Sequence, residues 1–201
     1  MSATRVDSAE FVRSAYGRAD FLCDGRPQVV FAGRSNVGKS SLLNRLLGRR
    51  ALARVSSTPG RTRAVNYFLV NGRYYFVDLP GYGYAKASRD ERREWARVVE
   101  EFLGQALPDA RVVLLVDGKV GATEKDVEAL RFFAERGAVV TVVATKMDRV
   151  PSGKRAAQLA AIRRALELPG DSPVIPVSAE SGEGMKQLWS EVALHLEASR
   201  R

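Results

Sequence analysis

The sequence has little cysteine, little histidine and no long hydrophobic run. One cysteine, Cys23, excludes a disulfide within the chain. The one histidine, His195, lies far along the chain from every motif described below, so no catalytic triad competes for the chemistry and we interpret both residues as structural. The longest uninterrupted apolar stretches, such as residues 112–116, are far shorter than the roughly 20 residues of a membrane span.

The first residues also lack the apolar segment of a secretory signal. Charged side chains interrupt this stretch at Arg5, Asp7, Glu10 and Arg13. We therefore expect a cytoplasmic protein without a membrane partner, and a monomer.

The composition is that of a globular protein with a basic surface. Hydrophobic residues make up 45% of the 201 residues and charged residues 27%, which argues against disorder. The formal net charge is +9, which suits a polyanionic partner such as nucleic acid. A basic surface with no such partner is the alternative that the charge alone leaves open.

The chain divides into an extension, residues 1–26, that packs on or precedes the core, and one domain over residues 27–201. In that domain, short strands alternate with helices, which predicts an α/β fold with a mainly parallel sheet covered on both faces. The dipeptide Asn71-Gly72 predicts a hairpin that makes one strand antiparallel. Thr123 and Ser152 are each predicted to cap the N-terminus of a helix. We expect ligands beyond the carboxyl ends of the strands, in the loops that follow residues 32, 79, 116, 144 and 177.

The first of these loops, which we call the phosphate loop (residues 33–40), fits G-x-x-x-x-G-K-[ST] between a strand and a helix. Gly33 and Gly38 let backbone N–H groups curl around a β-phosphate, and the helix N-terminus adds positive charge. Lys39 can bridge β- and γ-phosphate oxygens, and Ser40 can bind Mg²⁺. The alternative is an ordinary glycine-rich turn between a strand and a helix.

A second loop (residues 78–83) begins with the D-x-x-G pattern of Asp78 and Gly81. Asp78 can hold Mg²⁺ through a water molecule, and the Gly81 N–H can contact a γ-phosphate, so this loop can sense that phosphate. A threonine from residues 49–65 should also reach Mg²⁺, and Thr58 and Thr62 both qualify. The alternatives are an ordinary turn at the D-x-x-G pattern and solvent-exposed loop hydroxyls at Thr58 and Thr62.

The motif Thr145-Lys146-Met147-Asp148 follows a predicted strand and resembles the [NT]-K-x-D guanine motif of GTPases. The Asp148 carboxylate can accept hydrogen bonds from two guanine groups that adenine lacks, which disfavours ATP and hence a P-loop kinase or ATPase. The Lys146 stem can pack on the base. Ser178-Ala179 can offer a backbone N–H to the guanine oxygen.

The phosphate loop, then Ser57-Thr58-Pro59-Gly60-Arg61-Thr62, then the run from Asp78 to Ala85 closely resemble the EngB/YihA family of bacterial GTPases. The resemblance covers nearly the whole chain. It implies a three-layer, Ras-like P-loop domain with a six-stranded sheet, binding of GTP and GDP with Mg²⁺, and a role in large ribosomal subunit assembly and division septation. It also selects Thr62 over Thr58 as the Mg²⁺ ligand. In this family the guanine motif usually begins with threonine, so Thr145 fits the family pattern.

These motifs together define the expected site. Lys39, Thr62 and Gly81 are expected to take part in hydrolysis, and Ser40, Thr62 and Asp78 to hold Mg²⁺. The residues expected to contact the nucleotide are Gly33, Arg34, Ser35, Asn36, Val37, Gly38, Lys39, Ser40, Ser41, Gly60, Arg61, Thr62, Asp78, Leu79, Pro80, Gly81, Thr145, Lys146, Met147, Asp148, Val177, Ser178 and Ala179.

Three hypotheses concern the reaction and its partner. Tyr82 stands where many regulatory GTPases have a water-orienting glutamine, which predicts slow hydrolysis completed by a partner. Asn36 suggests a K⁺ ion that assists catalysis; a purely structural side chain is the alternative.

Basic residues near the predicted switches suit an RNA surface of the large ribosomal subunit or its precursor: Arg61, Arg63, Arg89, Arg92, Arg93 and Arg97. A GTP-responsive adaptor for division proteins is the competing function.

Overall fold

The computed structural model describes residues 6–49, 52–53, 64–83, 88–106, 110–170 and 172–198, with the side chains of Arg92 and Ala198 excepted. The strands are β1 (Ala9–Ala15), β2 (Gln28–Gly33), β3 (Val65–Val70), β4 (Tyr74–Asp78), β5 (Ala110–Asp117), β6 (Val139–Thr145) and β7 (Val174–Pro176). The helices are α1 (Lys39–Leu46), α2 (Arg89–Ala106), α3 (Glu124–Glu135), α4 (Ser152–Ala165) and α5 (Met185–Ala198). Short 3-10 turns lie at Arg18–Asp20 and Met147–Arg149.

The described strands form one sheet in the order β1-β3-β4-β2-β5-β6-β7. Only β3 runs against the others, because it pairs antiparallel with both β1 and β4 while the remaining pairs are parallel. The predicted α/β class, with a mainly parallel sheet and one reversed strand, is confirmed. The predicted count of six strands is wrong, since the sheet has seven.

The additional strand is β1, which comes from the segment before residue 27. Its residues 10–13 are exposed, so the segment carries no alternating pattern that would mark a strand. The hairpin turn holds it in place: Asn71 Oδ1 accepts hydrogen bonds from the N–H groups of Asp7 and Ser8, at 2.8 and 3.0 Å. The strand therefore forms through long-range pairing with β3 rather than through its own pattern.

Hydrophobic residues from the central strands enter two cores, one on each face of the sheet. Along β2, Val30 packs toward α2 and α3, whereas its neighbour Phe31 packs toward α1 and α5. Val77 and Phe76 of β4 divide in the same way. Because successive strand residues point to opposite faces, fully buried strands need helices on both sides.

The helix ends bear out one capping prediction and correct another. Thr123 is the N-cap of α3, and its N–H donates to Asp126 Oδ2 at 2.9 Å. Ser152, predicted to cap α4, is instead its first residue, and Pro151 occupies the cap position. The Pro151 carbonyl accepts a hydrogen bond from Lys154 at 2.8 Å, so it serves the first turn without a side-chain cap.

The parallel pairing brings the carboxyl ends of β2, β4, β5, β6 and β7 to one edge of the sheet. All the loops singled out from the sequence leave the sheet at this edge. Among the described residues, no helix has both the length and the apolar character needed to cross a membrane.

The loop after β7 is tightly packed at Gly184, and this gives a prediction of stability. A Cβ added at Gly184 (φ +76°) would lie 1.9 Å from the Pro176 carbonyl oxygen, whereas one at Gly137 (φ +75°) would meet no atom within 4 Å. Both alanine variants bear the same backbone strain, so Gly184→Ala should lose about 1–3 kcal/mol more stability than Gly137→Ala. Urea denaturation measures the difference, and equal losses would contradict it.

Candidate nucleotide-binding site

The phosphate loop connects β2, which is wholly buried, to α1. Gly38 has φ +101° and caps α1, a conformation that favours glycine. Leu42, Leu43 and Leu46 bury one face of α1 in the core, which fixes the position of its N-terminus. The first backbone N–H groups of α1 therefore stand at the edge of the sheet, where a helix N-terminus attracts phosphate.

Lys39 and Asp78, both predicted to serve the phosphates and Mg²⁺, lie together. Their side chains form an ion pair between the start of α1 and the end of β4, and they are only 11% and 10% exposed. Ser40 follows Lys39 in the first turn of α1, so the hydroxyl-bearing residue of the motif is next in the chain to the lysine that pairs with Asp78. Oxygen donors of this kind fit Mg²⁺, which binds few protein ligands and completes its shell with water and phosphate.

The third predicted ligand of Mg²⁺ is Thr62. Thr62, together with Gly60 and Arg61, lies outside the described residues. Within the part of the chain that the structure describes, no three histidine, cysteine, aspartate or glutamate side chains cluster in a way that could hold a metal.

The second loop lies directly against the phosphate loop. The Tyr82 N–H donates to the Gly33 carbonyl at 3.3 Å, and the Ser35 N–H donates to the Tyr82 carbonyl at 2.9 Å. These bonds continue the β2–β4 pairing beyond the sheet. A Cβ added at Gly81 would lie 3.2 to 3.3 Å from three atoms of Ser35, so Gly81 permits the close approach.

The Tyr82 side chain lies between α2 and α3. It is buried, its hydroxyl donates to Asp126 Oδ1 at 3.0 Å, and its ring meets Trp95 edge-on at 5.8 Å. Burial raises the pKa of Tyr82 well above the ordinary value for a phenol, and the Asp126 carboxylate raises it further. The phenol therefore stays protonated, and its hydroxyl is committed to Asp126.

Arg34 also extends toward α3. Its Nη1 donates to the Thr123 hydroxyl at 3.3 Å and lies 3.8 Å from Asp126 Oδ2. Only the backbone of Arg34, which bridges to Tyr82, belongs to the predicted phosphate site.

Thr145 links the base side of the site to the phosphate side. Its buried hydroxyl donates to the Val37 carbonyl at 2.7 Å and lies 3.2 Å from the Val116 carbonyl. The Thr145 hydroxyl is thus committed to the phosphate loop and β5. Thr145 shapes the site through the loop it holds.

Lys146 has a left-handed backbone (φ 56°) and a fixed ammonium group. Its Nζ donates to the Asn36 carbonyl and to Asp117 Oδ2, both at 2.7 Å. Asp117 also accepts from the N–H groups of Lys119 and Val120. Partial burial favours the neutral acid, but the hydrogen bonds from Lys146 and the backbone outweigh it, and the pKa of Asp117 is lowered.

Asp117 is a further residue of the candidate site, and sequence reasoning did not name it. It ends β5, directly after residue 116, and therefore lies in one of the loops singled out for inspection. Its carboxylate fixes the lysine whose stem we expect to pack on the base.

The two segments predicted to surround the base are adjacent. The Met147 N–H donates to the Val177 carbonyl at 3.1 Å, and both residues are buried. The Asp148 side chain remains accessible, 3.9 Å from Arg149 Nε. Ser178 is buried, and its N–H donates to the Glu183 carbonyl, which closes the loop that carries Ala179.

Proteins of known family match this chain over most of its length. A family model described as a 50S ribosome-binding GTPase matches residues 28–146, and one described as the elongation factor Tu GTP binding domain matches residues 100–198. The probable GTP-binding protein EngB of Pelotomaculum thermopropionicum is 49% identical over 184 residues, covering 92% of this chain and 93% of that protein. This chain belongs to the EngB family of GTP-binding proteins. The EngB of Exiguobacterium sibiricum is 42% identical and covers 96% of this chain and 100% of that protein.

Solved structures agree with this family. The crystal structure of a probable EngB superposes with a TM-score of 0.71 at 27% identity, covering 85% of this chain and 99% of that one. Era in complex with MgGDPNP and a 16S ribosomal RNA segment shares the fold, with a TM-score of 0.63 at 23% identity over 84% of this chain and 56% of that one. The predicted family, fold class and GTPase activity are confirmed. GTPases of this kind use Mg²⁺.

The placement of Asp117 gives a test of the base side. Asp117→Asn should weaken binding of GDP and of a non-hydrolysable GTP analogue by a similar factor, about tenfold, because the Lys146 ammonium loses its anionic partner. Fluorescence titration with labelled nucleotides measures both affinities. Asp90→Asn, an exposed acid on α2, is the matched control. Unchanged affinities in the Asp117 variant would contradict the assigned role.

Proposed function

We propose that this EngB-family GTPase is a slow, Mg²⁺-dependent switch that acts in the cytoplasm in assembly of the large ribosomal subunit, and through that role in normal division septation. The observation that carries the switch is the backbone pairing of Ser35 with Tyr82. It keeps Gly81 next to Ser35 of the phosphate loop, and in this proposal a γ-phosphate there would change the contacts of the Gly81 N–H.

In this proposal, each residue of the site has one task. The α1 N-terminus and Lys39 bind the phosphates, and Gly81 donates its N–H to the γ-phosphate. Ser40 and, through water, Asp78 hold the Mg²⁺, with Thr62 as the further ligand. The metal neutralises charge on the phosphate oxygens. Lys146 and Asp148 orient the base.

The proposal of slow hydrolysis rests on Tyr82. Since its hydroxyl donates to buried Asp126, position 82 supplies no group to orient the attacking water. We expect the isolated protein to hydrolyse GTP well below about 1 s⁻¹, measured as phosphate release. Lys39→Ala controls for contaminating activity, and a wild-type rate at or above that value would contradict the proposal.

The same assay tests the potassium hypothesis. Asn36 has a left-handed backbone (φ 65°), which asparagine tolerates better than most residues and which gives the residue type a structural reason. Faster hydrolysis in KCl than in NaCl would support a K⁺ site, and equal rates would remove it.

The ribosomal part of the proposal rests on the family description and on charge. The matching family model is that of a 50S ribosome-binding GTPase, and the chain carries +9. Of the basic residues singled out on α2, Arg97 pairs with Glu94 and Glu101, so it offers little net charge to RNA. Arg89 and Arg93 are exposed. These two are therefore the residues to test.

Co-sedimentation with ribosomal subunits and their precursors tests this surface. We expect binding to the large subunit mainly with a non-hydrolysable GTP analogue, less with GDP and without nucleotide. The double variant Arg89→Glu/Arg93→Glu should reduce binding at least fivefold while leaving GTP affinity intact, since each reversal removes a phosphate contact. Lys154→Glu/Arg164→Glu on α4 carries the same change of charge as a control.

Two results would count against the ribosomal proposal. An equal loss of binding to the large subunit in both double variants would mean that binding depends only on the total charge of the protein and not on Arg89 and Arg93. Absence of binding in every nucleotide state at low salt would favour a protein partner of the division machinery instead.

A further inference from the structure

Asp126 is a buried carboxylate that belongs to none of the nucleotide motifs. It lies in the first turn of α3 and is 1% exposed. A carboxylate without water must find hydrogen-bond donors or positive charge within the protein. The hydrogen-bond donors that contact Asp126 indicate its role.

One oxygen of Asp126 serves the end of α3. Oδ2 accepts from the Thr123 N–H at 2.9 Å and from the Thr123 hydroxyl at 2.8 Å. These bonds are those of a helix cap, and a cap functions equally well at a solvent-exposed helix end. Capping therefore accounts for one oxygen but not for the burial of the group.

The other oxygen reaches the second loop. Oδ1 accepts from the Tyr82 hydroxyl at 3.0 Å, and Tyr82 is the residue whose backbone pairs with Gly33 and Ser35. Gly81, the neighbour of Tyr82, packs against Ser35. The carboxylate thus holds the side chain of the same residue whose backbone holds the loop against the phosphate site.

The phosphate loop reaches Asp126 through Arg34. Its guanidinium lies 3.8 Å from Oδ2, and Arg34 and Tyr82 are themselves bridge partners through their backbones. One buried carboxylate on α3 consequently faces a cation from the phosphate loop and a phenol from the second loop.

Two further contacts fix the residues on either side of Tyr82. Trp95 of α2 donates its indole N–H to the Pro80 carbonyl at 2.7 Å, and Lys125 of α3 donates to the Gly83 carbonyl at 3.2 Å. The second loop is therefore attached at residues 80, 82 and 83, and the side chain of residue 82 depends on Asp126.

We propose that Asp126 is a positioning residue that holds Gly81 in the place from which its N–H meets a γ-phosphate, and thereby favours GTP over GDP. The inference rests on the proposed function in assigning that contact to Gly81. If the Tyr82–Asp126 bond is lost, GTP must order the loop itself and binds more weakly. GDP has no γ-phosphate for Gly81 to meet, so its affinity should not change.

Nucleotide affinities of three variants test the proposal. Tyr82→Phe removes only the hydroxyl and keeps the ring on Trp95, Asp126→Asn removes the charge, and the third variant combines both. Each single change should weaken binding of a non-hydrolysable GTP analogue by about five- to tenfold, while GDP affinity stays within twofold. The double variant should lose less than the product of the two factors, because both changes break the same bond.

Tyr67→Phe is the matched control. Tyr67 is also a buried tyrosine, and its hydroxyl accepts a hydrogen bond from the Leu22 N–H, away from both loops. This variant should lose stability in thermal unfolding without changing the ratio of GTP to GDP affinity.

A merely structural Asp126 would give a different pattern. Equal weakening of GDP and GTP binding, or no change in either, would overturn the inference, and Tyr82→Phe keeps the test available if Asp126→Asn does not fold. Failure of the wild-type protein to bind the large subunit would instead refute the ribosomal proposal and leave this inference standing.

Discussion

The parallel pairing of β2 with β4 continues past the sheet into the loops that follow, and the site is built on that continuation. The bonds among Gly33, Ser35 and Tyr82 place the phosphate loop beside the second loop. The ion pair of Lys39 with Asp78 and the contact of Gly81 with Ser35 both follow from it. The ladder needs matched backbone groups on both strands, so the two loops meet through one continuous run of backbone hydrogen bonds.

Two polar side chains, a buried one at Thr145 and a partly exposed one at Lys146, attach the loop after β6 to this pair. The Thr145 hydroxyl and the Lys146 ammonium both end on carbonyls of the phosphate loop, at Val37 and Asn36. Asp117 sets the position of that ammonium. Leaving a buried polar group without a hydrogen-bond partner costs free energy. The bonds from Thr145 and Lys146 therefore hold the base side and the phosphate side of this GTPase together as one unit.

The replacement of the usual glutamine by Tyr82 has a structural counterpart on α3. A phenol at this position can be buried, and Asp126 and Trp95 supply a partner for its hydroxyl and a surface for its ring. The same carboxylate faces Arg34 of the phosphate loop. Position 82 therefore lacks a water-orienting amide, but its tyrosine connects the second loop, through Asp126, to Arg34 of the phosphate loop.

The sequence by itself determined what short-range geometry requires: the phosphate loop, the Asn71-Gly72 turn with φ 51° and 64°, and the Thr123 cap of α3. Each depends on residues a few positions apart, so spacing and residue type suffice. Only the tertiary structure decided that β1 joins the sheet, and which partners Arg34, Tyr82 and Thr145 take. Those contacts join residues 29 to 108 positions apart, and burial, which no local pattern records, selects them.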